Sequence, residues 1–160
     1  MLCIKGARRI EKMRFFPYKS KFLRKFKYFA FIGLGSNMND EKKCFRALFR
    51  LFMDDRRLRI LATSPLLINK AFGYEFQKDF TNAVMLLQTS LHARAFLKIL
   101  LFYEFKFKRQ RIFKNAPRTL DLDLLYFSKK VREDSFCKVP HECADKRISV
   151  ILPLGFIEGR

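Results

Sequence analysis

The sequence predicts an α+β fold, an antiparallel sheet with helices packed on one face of it. Short runs rich in aromatic, branched and alternating apolar residues, the pattern of strands, are interspersed with two longer runs whose apolar residues recur every three or four positions. Their order is strand, helix, strand, strand, helix, strand, which fits a ferredoxin-like layer. With 160 residues, nearly half of them hydrophobic, the chain is long enough to bury one real core and too short for two.

The first strand is Tyr28-Phe29-Ala30-Phe31-Ile32, ending at Gly33. Gly33-Leu34-Gly35-Ser36 then reads as a strand-exit turn shaped for close backbone approach; Met38 breaks the dinucleotide pattern, and no Lys-Ser pair follows to make a P-loop. Asn39 or Asp40 is placed to cap the first helix, whose Cys44, Phe45, Leu48, Phe49 and Phe52 share one face. Arg57 to Ile68 is the second strand, with Pro65 at an edge or bend. A loop over Asn69 to Asp79, with Gly73 near its centre, leads to a third strand over Thr81 to Thr89. Ser90 is the cap expected for a helix over Leu91 to Lys108, carrying Phe96, Leu97, Leu100, Leu101 and Tyr103 toward the sheet, with His92 at its start. Thr119 to Phe127 is the fourth strand, Ser128 to Asp134 a polar stretch, and Ser149 to Leu152 a last strand.

Within the fourth strand, Leu120-Asp121-Leu122-Asp123-Leu124 alternates strictly. Residues two apart in a strand share a face, so both carboxylates project together while the leucines grip the core. Paired carboxylates repel one another unless a cation sits beside them, and hard oxygen ligands favour Mg²⁺. A solvated face on an edge strand would show the same pattern. The run before it argues otherwise: Glu104, Arg109, Arg111, Lys114 and Arg118 set four cations at a helix-loop-strand junction facing the two carboxylates. Phosphoryl transfer needs positioning, metal ions and cations for developing charge, and little covalent help. The residues alone thus reach a Mg-nucleotide enzyme and do not name the acceptor.

From Lys114 to Leu125 the chain resembles the signature of the 6-hydroxymethyl-7,8-dihydropterin pyrophosphokinase family of folate biosynthesis. Three further segments agree in order and spacing: Gly33-Leu34-Gly35-Ser36-Asn37, Phe80-Thr81-Asn82-Ala83-Val84, and Val139-Pro140-His141 with Arg147 and Pro153-Leu154. The resemblance covers Tyr28 to about Ile157, so residues 1–27 stand as a basic extension and 28–160 as the pyrophosphokinase domain. It implies transfer of pyrophosphate from ATP to the pterin hydroxymethyl group with release of AMP, assisted by two Mg²⁺ ions. By the same resemblance Asp121 and Asp123 are the metal ligands, and Arg109, Arg111 and Arg118 the catalytic phosphate-handling arginines, the first two on a mobile loop. Glu104, His141 and Arg147 join those arginines at the ATP site; Phe80 and Asn82 hold the pterin, under a lid formed by Asn69 to Asp79. One departure stands out: Ser149 occupies a position where the family commonly carries a second stacking aromatic. The loop after Arg111 is also one residue short, with Asn115 where an aromatic often lies.

The net charge is +19, a field that attracts any polyanion. Met1 to Lys27 holds ten Lys and Arg against the single acid Glu11, so nearly half the excess sits in a sixth of the chain. Phe15, Phe16, Phe22 and Phe26 alternate with the bases there, which allows an ordered outer layer, a flexible arm, or extra residues of little consequence. No secretory signal and no run of membrane-spanning length is visible, so the expected location is the cytoplasm. Cys3, Cys44, Cys137 and Cys143 lack C-x-x-C spacing; reduced thiols are expected, and Cys137, His141 and Cys143 lack a fourth zinc ligand. The alternative readings are a basic RNA-binding module and a degenerate relative that binds ATP without turnover. Nucleic acid is disfavoured, because no glycine-aromatic RNA-binding run lies on a strand and the paired aspartates repel a phosphate chain.

Overall fold

The computed structural model describes residues 6–21, 26–128 and 130–158. Phe22 and Cys3 therefore lie outside the described residues. In chain order the elements are β1 (Ala7–Glu11), β2 (Tyr18–Lys19), β3 (Tyr28–Ser36), α1 (Glu41–Asp54), β4 (Leu58–Thr63) and β5 (Leu66–Asn69). They continue with β6 (Phe80–Thr89), α2 (Ala93–Lys106), β7 (Asp121–Phe127), β8 (Arg132–Glu133), β9 (Lys138–Val139) and α3 (Ile148–Glu158). The architecture is the antiparallel α+β sheet the order of elements predicts.

β3 lies at the centre, hydrogen-bonded to β6 on one side and β7 on the other. β4 and β5 both pair with β6, so the expected second strand is one strand broken at Ser64-Pro65. Proline cannot donate to a ladder, and Ser64 repairs the break by accepting from Val84 N–H at 2.9 Å through its hydroxyl. The sheet then reads β4/β5, β6, β3, β7, all antiparallel.

Alternation along the strands separates two cores. Ala30, Ile32 and Leu34 of β3, Ala83, Met85 and Leu87 of β6, and Leu120, Leu122 and Leu124 pack with Phe45, Leu48, Phe49 and Phe52 of α1 and Phe96, Leu100 and Tyr103 of α2. Val84 and Leu125 point the other way and meet Val150, Leu154 and Ile157. Those last three belong to α3, and here the sequence reading fails: Ser149 to Leu152 is helix, not a strand, and it covers the second face of the sheet. The spacing Val150, Leu154, Ile157 is helical, and burial of that stripe outweighs the strand preference of the β-branched pair Val150 and Ile151.

Smaller corrections have similar causes. The glycine segment is not an exit turn; β3 runs on through Ser36, because β6 and β7 keep pairing with it. Asp40 caps α1, accepting from Lys43 N–H at 2.9 Å. Ser90 does not cap α2, which starts after His92. Leu101 is exposed and Ile99 buried, so the inward face of α2 is turned by one position from the expected one, and Glu104 lies on it.

β1 and β2 add residues 6–21 to the same sheet, through β5 and β4 respectively. Phe16 is fully buried, and Phe15 stacks on Phe49 with ring centroids 4.3 Å apart. No helix among the described residues is long and apolar enough to cross a membrane.

Candidate active site

β7 places Asp121 opposite Gly35 and Asp123 opposite Gly33 of β3, all on the face away from α1 and α2. The two glycines leave the sheet bare beside the carboxylates, and the floor of a cleft results. A Cβ on Gly35 would come within 3.1 Å of Asn82 Oδ1, so the bare floor also lets Asn82 lean over it from β6.

Two cavities meet at this floor. The narrower, about 90 Å³, has Phe80, Asn82, Phe72 and Ser149 in its walls. The wider, about 390 Å³, is lined by Glu104, Arg109, Arg111 and Lys138. Arg118, Asp121, Asp123, His141 and Arg147 border both. The fold thus gathers Phe80 and Asn82 on one side, the ionic group on the other and the aspartates between; Lys114, counted among the four cations in the sequence, is exposed and lines neither cavity.

The ionic group begins where α2 stops. Lys108 takes a left-handed conformation, and the N–H groups of Lys108 and Arg109 donate back to the carbonyls of Phe105 and Glu104. This reversal folds the Arg109 guanidinium onto Glu104 and onto Asp121 Oδ1, at 2.6 Å from the latter. Arg118 Nη1 donates to Asp121 Oδ2 at 2.5 Å, and its guanidinium lies 5.3 Å over the Phe80 ring. Arg111 reaches the group only loosely, 3.8 Å from Glu104 Oε2 and largely exposed. Two arginines therefore neutralise Asp121, whereas among the described residues Asp123 pairs only with His141 Nε2, at 3.7 Å. Cys143 N–H donates to His141 Nδ1, which leaves the ring proton on the nitrogen that faces Asp123.

Desolvation at the cleft floor, reinforced by the neighbouring Asp121, raises the Asp123 pKa, with His141 and the arginines opposing. Glu104, buried under α2 and accepting Leu122 N–H at 2.7 Å, is pushed up to about 7, chiefly by desolvation. Its ordinary value is 4.5, so between about 4.5 and 7 the folded chain binds a proton that the unfolded chain releases. The stability that this group contributes is therefore present at low pH and falls as pH rises through that window. Glu104→Gln should flatten this dependence, so denaturant midpoints at pH 5 and pH 8 should differ less than in the parent protein.

Residues that the sequence reading passed over complete the site. Asn37, almost fully buried, accepts Arg118 N–H at 2.9 Å and donates to Gln77 Oε1 and to Lys78 O. It ties the segment before β7 to the loop over residues 70–79. Gln77 donates on to Asn115 O, and Tyr74 meets Phe113 edge-on at 5.3 Å, so that loop and the arginine loop touch. Gly73 (φ +84°) has Asn115 Nδ2 only 2.3 Å from where a Cβ would stand, so a side chain there would strain the backbone and displace the Asn115 amide. Asn69 Oδ1 accepts from Asn82 Nδ2 at 2.5 Å and orients it. Ser149 is in the narrow cavity wall without a ring, and Phe72, 76% exposed, brings a second ring to that wall from the loop. Its signal in the sequence was weak, one Phe among 20 in a loop of unassigned shape.

Cys44, Cys137 and Cys143 are free thiols, and among the described residues no cluster of three or more His, Cys, Asp or Glu could hold a metal by itself.

A pair of carboxylates between a cavity walled by Phe72, Phe80 and Asn82 and a cleft of arginines, on an antiparallel α+β sheet, is the arrangement of a transferase of phosphoryl-type groups. The chain belongs to the 7,8-dihydro-6-hydroxymethylpterin-pyrophosphokinase family, whose model matches residues 31–159. It is 67% identical over 157 residues to the 2-amino-4-hydroxy-6-hydroxymethyldihydropteridine pyrophosphokinase of Campylobacter jejuni, covering 98% of this chain and all of that one. The enzymes of the same name from Helicobacter pylori and Pseudomonas aeruginosa are 37% and 34% identical. The first match covers 92% of both chains, the second 79% of this chain and 78% of that one. These relatives favour the transferase over a basic RNA-binding module.

Proposed function

We propose that this protein transfers the pyrophosphoryl group of ATP to the hydroxymethyl oxygen of 6-hydroxymethyl-7,8-dihydropterin in folate biosynthesis. A bond forms between that oxygen and the β-phosphorus. The bond from the β-phosphorus to the α,β-bridging oxygen breaks, AMP departs with that oxygen, and the hydroxyl proton passes to solvent. The observation that carries the reading is the meeting of the two cavities at Asp121 and Asp123. An acceptor lying on Phe80 and Asn82 and a triphosphate among Glu104, Arg109, Arg111, Arg118, His141 and Arg147 would bring their reacting ends together there.

Asp121 and Asp123 fit Mg²⁺: both are hard oxygen donors on one strand face, and among the described residues Asp123 has no counter-charge closer than His141 at 3.7 Å. Bound there, two Mg²⁺ ions would neutralise the triphosphate and lower the pKa of the acceptor hydroxyl. The chain's own part is positioning. Arg109 and Arg118, held on Asp121, are planar forked donors suited to phosphate oxygens. Phe80 offers a flat apolar face, and Asn82, oriented by Asn69, offers donors and an acceptor to the ring edge. Free thiols fit a cytoplasmic setting.

Purified protein with ATP, Mg²⁺ and the dihydropterin should release AMP only when the pterin is present. Omission or chelation of Mg²⁺ should abolish that release. AMP formed equally without pterin would overturn the acceptor, and ATP binding without any AMP would indicate a degenerate site.

A further inference from the structure

Residues 6–21 precede the segment that the family model matches, yet they end at the acceptor loop. β1 pairs antiparallel with β5, with Ala7 opposite Asn69, and the ladder continues one bond further: Lys70 N–H donates to Gly6 O at 2.9 Å. Lys70 is the first residue of the loop over 70–79. At the loop's other end Arg8 Nε lies 3.5 Å from Asp79 Oδ2, and Asp79 immediately precedes Phe80. One short strand therefore holds both feet of the loop that carries Phe72 and Gln77.

The strand is itself anchored. Glu11 pairs with Lys42 of α1 at 2.5 Å, and Phe15 and Phe16 pack against α1. The chain from Phe16 back to Gly6 thus links α1 to the start of a loop whose other ties gather at Tyr74, Gln77 and Lys78, toward its far end. Behind Phe72 a cavity of about 430 Å³ opens between Gly6, Asn69 and the start of α3, so no packed core fixes the loop from that side. With 157 of the 160 residues matched, the C. jejuni relative carries this segment as well.

We propose that the N-terminal strand Ala7–Glu11 is a positioning element of the acceptor site, setting the placement of Phe72 and Phe80 by bracing both ends of the 70–79 loop. The inference rests on the acceptor reading given under Proposed function. An ordered loop presents its rings in place, and a loosened one must be ordered at the expense of acceptor affinity. Glu104, Arg109 and Arg111 lie across the aspartates. Arg147 borders the cavity behind Phe72, so ATP binding should change, but far less than acceptor binding.

Two variants test this. Deletion of residues 1–10 leaves Glu11, Phe15 and Phe16, and should raise the KM for the dihydropterin about tenfold or more. The KM for ATP and kcat should stay within about twofold. Arg8→Glu should raise the acceptor KM roughly two- to fivefold, the range an exposed ion pair sustains, and Arg8→Glu with Asp79→Arg should restore it. If the deletion does not fold, the charge swap carries the test. An unchanged acceptor KM in both variants, or an equal rise in both KM values, overturns the proposal. Hydrogen exchange separates this outcome from failure of the acceptor reading. Should the full chain release no pterin-dependent AMP, faster exchange at 70–79 in the deletion, with α1 and β7 unchanged, still supports the brace. Unchanged exchange there refutes it.

Discussion

Asp123→Asn is expected to reduce kcat by on the order of a thousandfold or more while leaving the fold intact. The amide keeps the shape and the face of the strand, so Leu122 and Leu124 stay in the core beneath it. What it removes is a negative charge that the surrounding side chains compensate weakly: desolvation and Asp121 oppose ionisation, and His141 stands 3.7 Å away. On the reading proposed above, a cation arriving with the substrate would supply the counter-charge. The same imbalance makes a second forecast for this variant. Without substrate, Asp123→Asn should melt no lower than the parent and should lose the thermal shift that Mg²⁺ with a non-hydrolysable ATP analogue produces. Near-normal turnover, or a preserved metal-dependent shift, would remove Asp123 from the site.

Arg118 carries the second large effect. Its backbone is fixed on both sides of the peptide by Asn37, which accepts from Arg118 N–H and donates its own N–H to Arg118 O at 3.1 Å. Its side chain bridges the cavities, pairing with Asp121 and lying over Phe80. Arg118→Ala should lower kcat/KM for the reaction by roughly 10²- to 10³-fold, as loss of one preorganised donor to developing charge does. Arg118→Lys is the sharper experiment. An ammonium restores the charge but neither the fork nor the flat contact with the ring, so it should recover less than about tenfold of the loss. Recovery to the parental rate would show that charge alone matters there. A loss confined to the ATP KM would show that Arg118 binds nucleotide without assisting transfer.

The distribution of legible and illegible features follows from the range of the interactions. The D-x-D strand was readable because alternation is a property of the backbone itself, and the apolar residues at Leu120, Leu122 and Leu124 report which face is buried. The stripe on α1 was readable for the same reason. α3 was misread because Ser149 to Leu152 is too short and too apolar for periodicity to choose between helix and strand; the choice is made by Val84 and Leu125, far away in sequence. The extent of β3 was misread because glycines suggest turns when seen alone, whereas two pairing partners hold them extended. Asn37 was visible only as part of a family-like motif, since its partners Gln77, Lys78 and Arg118 come from two other segments.

By itself, then, the sequence determined the α+β class, the paired carboxylates on one strand face, the cations that precede them and the family these residues resemble, because local periodicity and residue chemistry suffice for each. Only the tertiary structure decided that the aspartates stand where two cavities meet, that Arg109 and Arg118 converge on Asp121, that Phe72 comes to the wall where Ser149 lacks a ring, and that Gly6 and Arg8 reach the two ends of the 70–79 loop. Those are relations between segments far apart along the chain. Sheet pairing and burial bring them together, and no local pattern records which distant strand or loop will be the neighbour.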